Sequence, residues 1–492
     1  MTIVQLRPVS KGVALDLAIR GGHVGTAEGL TRADLGIKNG VLVQMGEVGP
    51  AAGEIDAEGL LVLPGGVDTH CHLAQVEPGM GCGPDNFYTG GRSALLGGTT
   101  TAISFISQFK GETLDGVMRE SFRRGERSVI DYGFHQIITD PSDAVLAEVP
   151  GLVARGVRSL KVFLTYDAAR LDDGQFLKVL AAARRSGAFV TVHCENYDAI
   201  GWLTERLLAA GLSAPKYHAW SRPKVVEREA TYRAIALAEL VDQPLQIFHV
   251  SCAEVAEEIG RAQRRGLKVW AETCPQYLTL TAADMDRPGF EGAKYMCSPA
   301  PRDEADHEGL WEIIRQGVIG VVSSDHSAFN ITGTADAKDR HGRDAPFRDI
   351  PNGVPGVGSR LPVLFSEGVS AGRIDLETFV AITSTNPAKL FGLFPKKGTI
   401  AIGSDADLAL WDPKKRVTIT NALLQHNVDH TPWEGRTVTG WPVMTLLRGE
   451  VAARDGAMLL PEGSGRYLPR AAYDLIQPRG ILANGFDAAR IA

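Results

Sequence analysis

Several kinds of segment are missing from this chain of 492 residues. Its six cysteines form no CxxC pair, so neither a disulfide framework nor a thiolate zinc site is indicated. No apolar run is long enough to span a bilayer, and no Lys- or Arg-rich run offers a surface to nucleic acid or an anionic membrane. The N-terminus lacks an apolar core followed by a small-residue cleavage site, so we expect a cytoplasmic protein.

The composition is that of an ordinary globular protein. Hydrophobic residues make up 44% and charged residues 22% of the sequence, with a formal net charge of -7. A chain of this length exceeds what one compact core usually holds, which predicts two domains. The mild acidity, without charge clusters, favours a small-molecule partner over nucleic acid or a membrane.

Both ends of the chain have the pattern of short antiparallel strands. Alternating runs such as ALDLAIRGG and ADLGIKNGVLVQMGE near the start, and GTIAIGSDADLALWDP and VTGWPVMTLLRGEVAARDG near the end, are separated by Gly and Asn-Gly turns. We therefore predict a small β-sandwich built from residues 1–60 and 396–460. Residues 461–492 are expected to form a C-terminal extension.

Between residues 61 and 395, apolar runs alternate with amphipathic helical stretches, which is the rhythm of a parallel α/β sheet. The candidate strands are LLVLPGGVDTHCH, TTTAISF, VIDYGFHQII, SLKVFLTY, FVTVHCEN, LQIFHVS, KVWAETCP and VIGVVSSDHSAF. Eight such units predict a (β/α)8 TIM-like barrel, whose active site forms at the carboxyl ends of its strands.

Metal-binding residue types occur at the ends of five of these strands. His70 and His72 are two apart on the first strand and so share a face, while Cys71 points away. Four further residues occupy or follow the fourth, fifth, sixth and eighth strands: Lys161, His193, His249 and Asp325. These side chains suit a hard-to-borderline divalent ion, and we expect them to meet in one site.

Ordered blocks along nearly the whole chain resemble the amidohydrolase superfamily, and within it the cyclic amidohydrolases of the dihydropyrimidinase and hydantoinase type. The blocks are PGGVDTHCHL, LLGGTTT, SLKVFLTY, TVHCEN, IFHVS, ETCPQYL, KYMCSPAPR, SSDHSAF, IPNGVPG, TSTNPAKLFGL and GTIAIGSDADLALWD. The resemblance implies a binuclear metal centre, for which zinc is the expected metal. His70, His72 and Asp325 would hold the more buried ion, His193 and His249 the more exposed one, and a carboxylated Lys161 would bridge the two.

This resemblance also implies a reaction. A hydroxide shared by two metal ions would attack the carbonyl of a hydantoin, a dihydropyrimidine or a related cyclic ureide or imide, giving an N-carbamoyl amino acid or its equivalent. Asp325 would carry the proton from the hydroxide to the leaving nitrogen. Tyr166 would stabilise the oxyanion, and the loops around Ser298 and Asn352 would grip the ring.

The choice of substrate stays open. Dihydroorotases carry an arginine two residues after the second histidine of HxH, and the corresponding Ala74 here makes dihydroorotate a poor substrate. Met80 and Phe87 in the loop 74–91 are candidates for an apolar subsite or for loop packing. Allantoin and other cyclic imides remain alternatives.

Two other classes of protein compete with this assignment. Collapsin response mediator proteins have the same fold but act in assembly, and they lack much of the metal set that is present here. A single-metal deaminase would have little use for a bridging Lys161. The resemblance also implies a homo-oligomer, a tetramer or a dimer, with residues 461–492 as a candidate arm.

Overall fold

The central sheet of the computed structural model, which describes residues 14–77 and 81–490, has eight parallel strands. In chain order the strands are Gly66–Asp68, Thr99–Ile106, Asp131–Ile137, Ser159–Phe163, Phe189–His193, Leu245–Ile247, Val269–Thr273 and Ile319–Val322. Each pairs with the next along the chain, and nearly every residue in them is buried, as expected for a sheet enclosed by helices. The prediction of an eight-stranded TIM-like barrel is confirmed.

The first and eighth barrel strands meet through a bridge between Cys71 and His326 and through side chains. The guanidinium of Arg360 is fully buried where these two strands meet, a junction that we call the seam of the barrel. It donates to the carbonyls of Val67 and Val322 at 3.4 and 3.0 Å. The backbone N–H of Ser324 donates to the Asp68 carboxylate at 3.1 Å. These contacts complete a nearly closed barrel.

Helices surround the barrel. They are Thr89–Leu96, Leu114–Gly125, Asp143–Leu146, Val149–Ala154, Asp173–Ser186, Tyr197–Ala209, Tyr217–Ser221, Lys224–Leu240, Ala253–Arg264, Pro275–Thr279, Glu304–Arg315, Arg360–Leu364, Leu376–Val380, Asn386–Leu390 and Asn421–Leu424. The sequence fixes their ends locally. Asp172 and Gln175 form a capping box at the start of Asp173–Ser186, which ends at the left-handed Gly187. None of the helices in the described ranges is long and apolar enough to cross a membrane.

Two antiparallel-rich sheets form the β-sandwich. One contains Leu15–Arg20, Asp34–Lys38, Val41–Gly46 and Ala51–Asp56; the other contains His23–Thr26, Gly29–Arg32, Leu61–Pro64, Leu408–Thr418, Thr437–Leu447, Glu450–Arg454 and Ala457–Met458. Leu61–Pro64 pairs directly with Leu408–Thr418, so the two ends of the chain meet in one sheet, as predicted.

The segment LLVLPGGVDTHCH, expected to be one barrel strand, is divided between the two domains. Leu61–Pro64 belongs to the sandwich and Gly66–Asp68 to the barrel. Gly65 lies between them so close to Thr100 that a Cβ at this position would approach its hydroxyl to 2.2 Å. The apolar pattern predicted a strand but could not reveal that the chain changes sheets within it.

An ionic cluster joins barrel and sandwich. The buried Lys397 lies within 2.9 Å of three carboxylates: Asp131 of the third barrel strand, Asp405 and Asp407. The first part of the C-terminal extension also lies on the barrel, because Tyr132 and Leu468 are linked by a backbone hydrogen bond of 2.7 Å.

Candidate active site

The first and eighth barrel strands bring three potential metal ligands together. The ligand atoms of His70, His72 and Asp325 all lie within 4.8 Å of one another. One carboxylate oxygen of Asp325 is 3.1 Å from Nε2 of His70 and 3.3 Å from Nε2 of His72. Although burial opposes ionisation, the nearby imidazoles hold the pKa of Asp325 well below its usual range. The carboxylate is therefore available as a ligand at neutral pH.

Glu272, at the end of the seventh strand, orients the first of these histidines. Its fully buried carboxylate lies 2.6 Å from Nδ1 of His70 and accepts from the hydroxyl of Ser323 at 3.0 Å. Burial lowers the pKa of His70, but Asp325 and Glu272 outweigh it and raise the value to about 9. The contact to Glu272 occupies Nδ1 and leaves Nε2 of His70 for an ion.

His193 and His249 form a second pair, with ring centroids 4.4 Å apart. Nε2 of His193 lies 2.7 Å from the buried carboxylate of Glu195, which also accepts from Arg222 at 2.5 Å. Burial lowers the pKa of His193 to about 4. Nδ1 of His249 is buried without a hydrogen-bond partner. Burial also holds the pKa of His249 well below its usual value, so both rings are neutral, which is the form that binds metals.

Lys161 lies between these two groups on the fourth strand. Its Nζ is buried without a hydrogen-bond partner, 4.3 Å from the ring centroid of Phe248 and 4.8 Å from that of Phe163. Burial lowers the pKa of Lys161 to about 8. A buried polar group without a partner is costly, so a lysine retained here points to a further bonding role. The neutral amine is the form that reacts with carbon dioxide.

Three residues assigned to the chemistry have a strained backbone. The φ angles of His249, Asp325 and Tyr166 are 42°, 46° and 74°, in the left-handed region that non-glycine residues rarely adopt. Each lies where the chain leaves a barrel strand. Strain of this kind clusters at functional sites, where the surrounding structure holds it.

One cavity of about 40 Å³ is lined by all six expected metal ligands and by Ser298 and Asn352. Tyr166 lies beside it, with its ring centroid 5.1 Å from that of His193. This tyrosine lines two adjoining cavities of about 460 and 490 Å³, both of which also reach Asn352. The candidate metal cavity, lined by the expected ligands, therefore adjoins space for a substrate and its substituents, because all three cavities share Asn352.

Phe87 is 2% exposed and packs against Tyr132 and Phe134, so it belongs to the core. It lines none of the cavities around the metal site. Met80 lies outside the described residues. Nε2 of His326, the residue after Asp325, lies 3.1 Å from the Asp85 carboxylate.

Reasoning from the sequence missed the residues that hold the ligands. Glu195 appeared in the block TVHCEN and Glu272 in ETCPQYL, yet neither received a role. A carboxylate at the end of a barrel strand was a usable signal for Glu272. Arg222 carried no such signal, because it lies in the turn after the helix Tyr217–Ser221.

Comparisons with known proteins identify the family and the fold. The amidohydrolase family model matches residues 61–452. A D-hydantoinase of Ralstonia pickettii is 45% identical over 462 residues, covering 93% of this chain and 100% of that protein. A D-hydantoinase of Geobacillus stearothermophilus is 44% identical over 460 residues, covering 92% of this chain and 96% of that protein. The crystal structure of dihydropyrimidinase from Brevibacillus agri NCHU1002 is similar at a TM-score of 0.90 and 42% identity, covering 93% of this chain and 99% of that one.

Proposed function

The chain belongs to the amidohydrolase family, and on that basis we propose that it hydrolyses a cyclic amide of the hydantoin or dihydropyrimidine type. The observation that carries this proposal is the single cavity that combines six ligand-type side chains with Ser298 and Asn352. The names of the similar proteins supply the substrate class. Ring opening would yield an N-carbamoyl amino acid or its equivalent.

The residues of the cavity fit two divalent ions, for which we propose zinc. His70, His72 and Asp325 would hold one ion, and His193 and His249 the other. Nζ of Lys161 and Nδ1 of His249, both buried without partners, are the kind of atoms that a metal centre would satisfy. Carboxylation would turn Lys161 into an anion able to bridge both ions. Such ions would supply a hydroxide nucleophile near neutral pH and polarise the carbonyl under attack.

The protein's own residues would orient the ring and move the proton. Asp325 would accept the proton of the nucleophile and return it to the departing ring nitrogen, since its carboxylate lies beside both His70 and His72. The hydroxyl of Tyr166 would donate a hydrogen bond to the developing oxyanion. Burial raises the pKa of this hydroxyl, so it keeps its proton at neutral pH.

A ring-opening assay tests the substrate class. It would compare hydantoin, both enantiomers of 5-substituted hydantoins, dihydrouracil, dihydrothymine, allantoin and succinimide. We expect hydantoins or dihydropyrimidines to be opened fastest, with the D enantiomer preferred. Fastest turnover of allantoin or succinimide would favour the alternative cyclic imide assignments, and no turnover of any member would contradict the proposal.

Metal analysis separates the proposal from its rivals. We expect about two ions per chain, whereas a single-metal deaminase would contain about one and an assembly protein none. Lys161→Ala should lose both metal and activity. Full activity in a metal-free Lys161→Ala protein would contradict the binuclear mechanism.

We further propose a cytoplasmic homo-oligomer, a tetramer or a dimer. The later part of the C-terminal extension supports a role as an intersubunit arm, because Ile481 is 60% and Phe486 57% exposed. Sedimentation at micromolar concentration tests this proposal. A monomer there would contradict it.

A further inference from the structure

A buried lysine outside the metal cavity joins the two loops that we assign to the substrate. Lys338 lies beyond the eighth barrel strand, and its side chain is fully buried. Its Nζ donates to the carbonyl of Met296 at 3.2 Å and to the carbonyl of Pro351 at 3.0 Å. Met296 is two residues before Ser298, and Pro351 directly precedes Asn352. One side chain therefore connects both loops.

The same carbonyl links the loops a second time. Met296 also accepts from the backbone N–H of Gly353 at 2.8 Å. Asn352 is thus held on both sides, through Pro351 and Lys338 on one and through Gly353 on the other. Gly353 itself approaches the eighth-strand end so closely that a Cβ there would lie 2.0 Å from the carbonyl oxygen of Ser327.

Lys338 is a costly residue for this position. In the part of the chain that the structure describes, its Nζ contacts these two carbonyls and forms no ion pair with a carboxylate. Burial lowers the pKa of Lys338 to about 7. A methionine would fill a similar volume without the cost of burying an unpaired charge. What it could not do is donate hydrogen bonds to both loops.

We propose that Lys338 is a positioning residue that fixes the spacing between the Ser298 and Asn352 loops, and thereby aligns the cyclic amide over the metal cavity. The inference rests on the proposed function for its substrate. The link between the loops is a property of the free protein and can be measured without turnover.

The test compares metal-loaded Lys338→Met with the control Lys294→Met. Lys294 lies two residues before Met296, is 29% exposed and pairs with Glu291. Hydrogen–deuterium exchange would be followed in residues 295–301 and 350–354 without substrate. Then kcat and KM would be measured on the fastest-opened cyclic amide. Lys338→Gln, which keeps an N–H donor, serves as the conservative variant and as the substitute if the methionine variant fails to fold.

We expect both segments of Lys338→Met to exchange faster than in wild type. Its KM should rise about 10-fold with a smaller change in kcat, because the loss of the link between the loops weakens ground-state and transition-state binding alike. Its metal content should be unchanged. Lys338→Gln should recover part of the KM, and Lys294→Met should match wild type. Unchanged exchange in both segments of Lys338→Met would overturn the inference. A lower active fraction and melting temperature of this variant, with KM as in wild type, would also overturn it. If wild type opens no cyclic amide, the proposed function fails, while the exchange data still decide whether Lys338 links the loops.

Discussion

Glu272 offers a direct test of how the metal site is organised. The change Glu272→Gln keeps the shape of the side chain and removes its negative charge, 2.6 Å from Nδ1 of His70. The amide still offers an oxygen to His70, but it is a weaker partner than a carboxylate. We expect the variant to fold and to bind the more buried ion less tightly.

The magnitude follows from two opposing effects. Carboxylates that orient a metal-binding histidine typically account for roughly 10- to 100-fold in metal affinity, or about 1.4 to 2.7 kcal/mol. Glu272 also helps raise the pKa of His70 to about 9, so at neutral pH it strengthens the competing proton as well. Removing the carboxylate relieves that competition. The loss of affinity should therefore be smaller near pH 7 than near pH 9.5, where His70 is already neutral.

Competition with a calibrated chelator at both pH values measures this difference. Asp242→Asn is a matched control, because it neutralises another buried carboxylate, one that binds Arg479 away from the metal cavity. We expect wild-type metal affinity in the control. Affinity within about twofold of wild type for Glu272→Gln at both pH values would refute the orienting role.

Three further predictions address proton transfer, pH and the barrel seam. Metal-replete Asp325→Asn should lose roughly 10²- to 10⁴-fold in kcat, because an amide cannot accept the proton, and a near wild-type rate would contradict the shuttle role. Burial lowers the pKa of His218 from 6.5 to about 3. Its contribution to stability is therefore present above pH 6.5 and is lost as the pH falls towards 3. In denaturant titrations, the free energy of unfolding of His218→Gln should fall with pH less steeply than that of wild type, by up to about 1.4 kcal/mol per pH unit between pH 6.5 and 3. Arg360→Met removes a guanidinium that donates to carbonyls of the first and eighth strands and lies 3.8 Å from the buried Asp68 carboxylate. Because Asp68 would lose its buried partner, the free energy of unfolding should fall by about 3–5 kcal/mol in the same assay, and metal retention should weaken. An unchanged midpoint would contradict this.

The barrel and the ligand cavity were predictable because both follow from short-range patterns. Eight apolar runs separated by helical stretches indicate a parallel barrel, and residues at the carboxyl ends of its strands must face one another. His70 and His72 share a face simply because they are two apart. The change of sheets at Gly65 was not predictable, since apolar alternation does not specify the pairing partner.

The contacts that position the ligands and the substrate loops were out of reach for a different reason. Glu272 is separated from His70 by 202 positions, and Lys338 from Met296 by 42. Neither local propensity nor strand periodicity relates positions so far apart. The roles of Glu272 and Lys338 therefore become visible only in the structure, where each buried polar group is seen together with its partners.

The seam of the barrel explains why small polar residues accompany the proposed metal ligands. Where a regular ladder would join the first and eighth strands, Thr69 and Ser323 are instead 3.0 Å apart through their hydroxyls, and Ser324 donates its N–H to Asp68. His70 and Asp325 lie between these contacts and the Cys71–His326 bridge, so their separation depends on side-chain hydrogen bonds as well as on a single backbone bridge. A ladder would fix these residues in the regular geometry of a strand. The side-chain seam permits the left-handed backbone at Asp325 that brings its carboxylate 3.1 Å from Nε2 of His70.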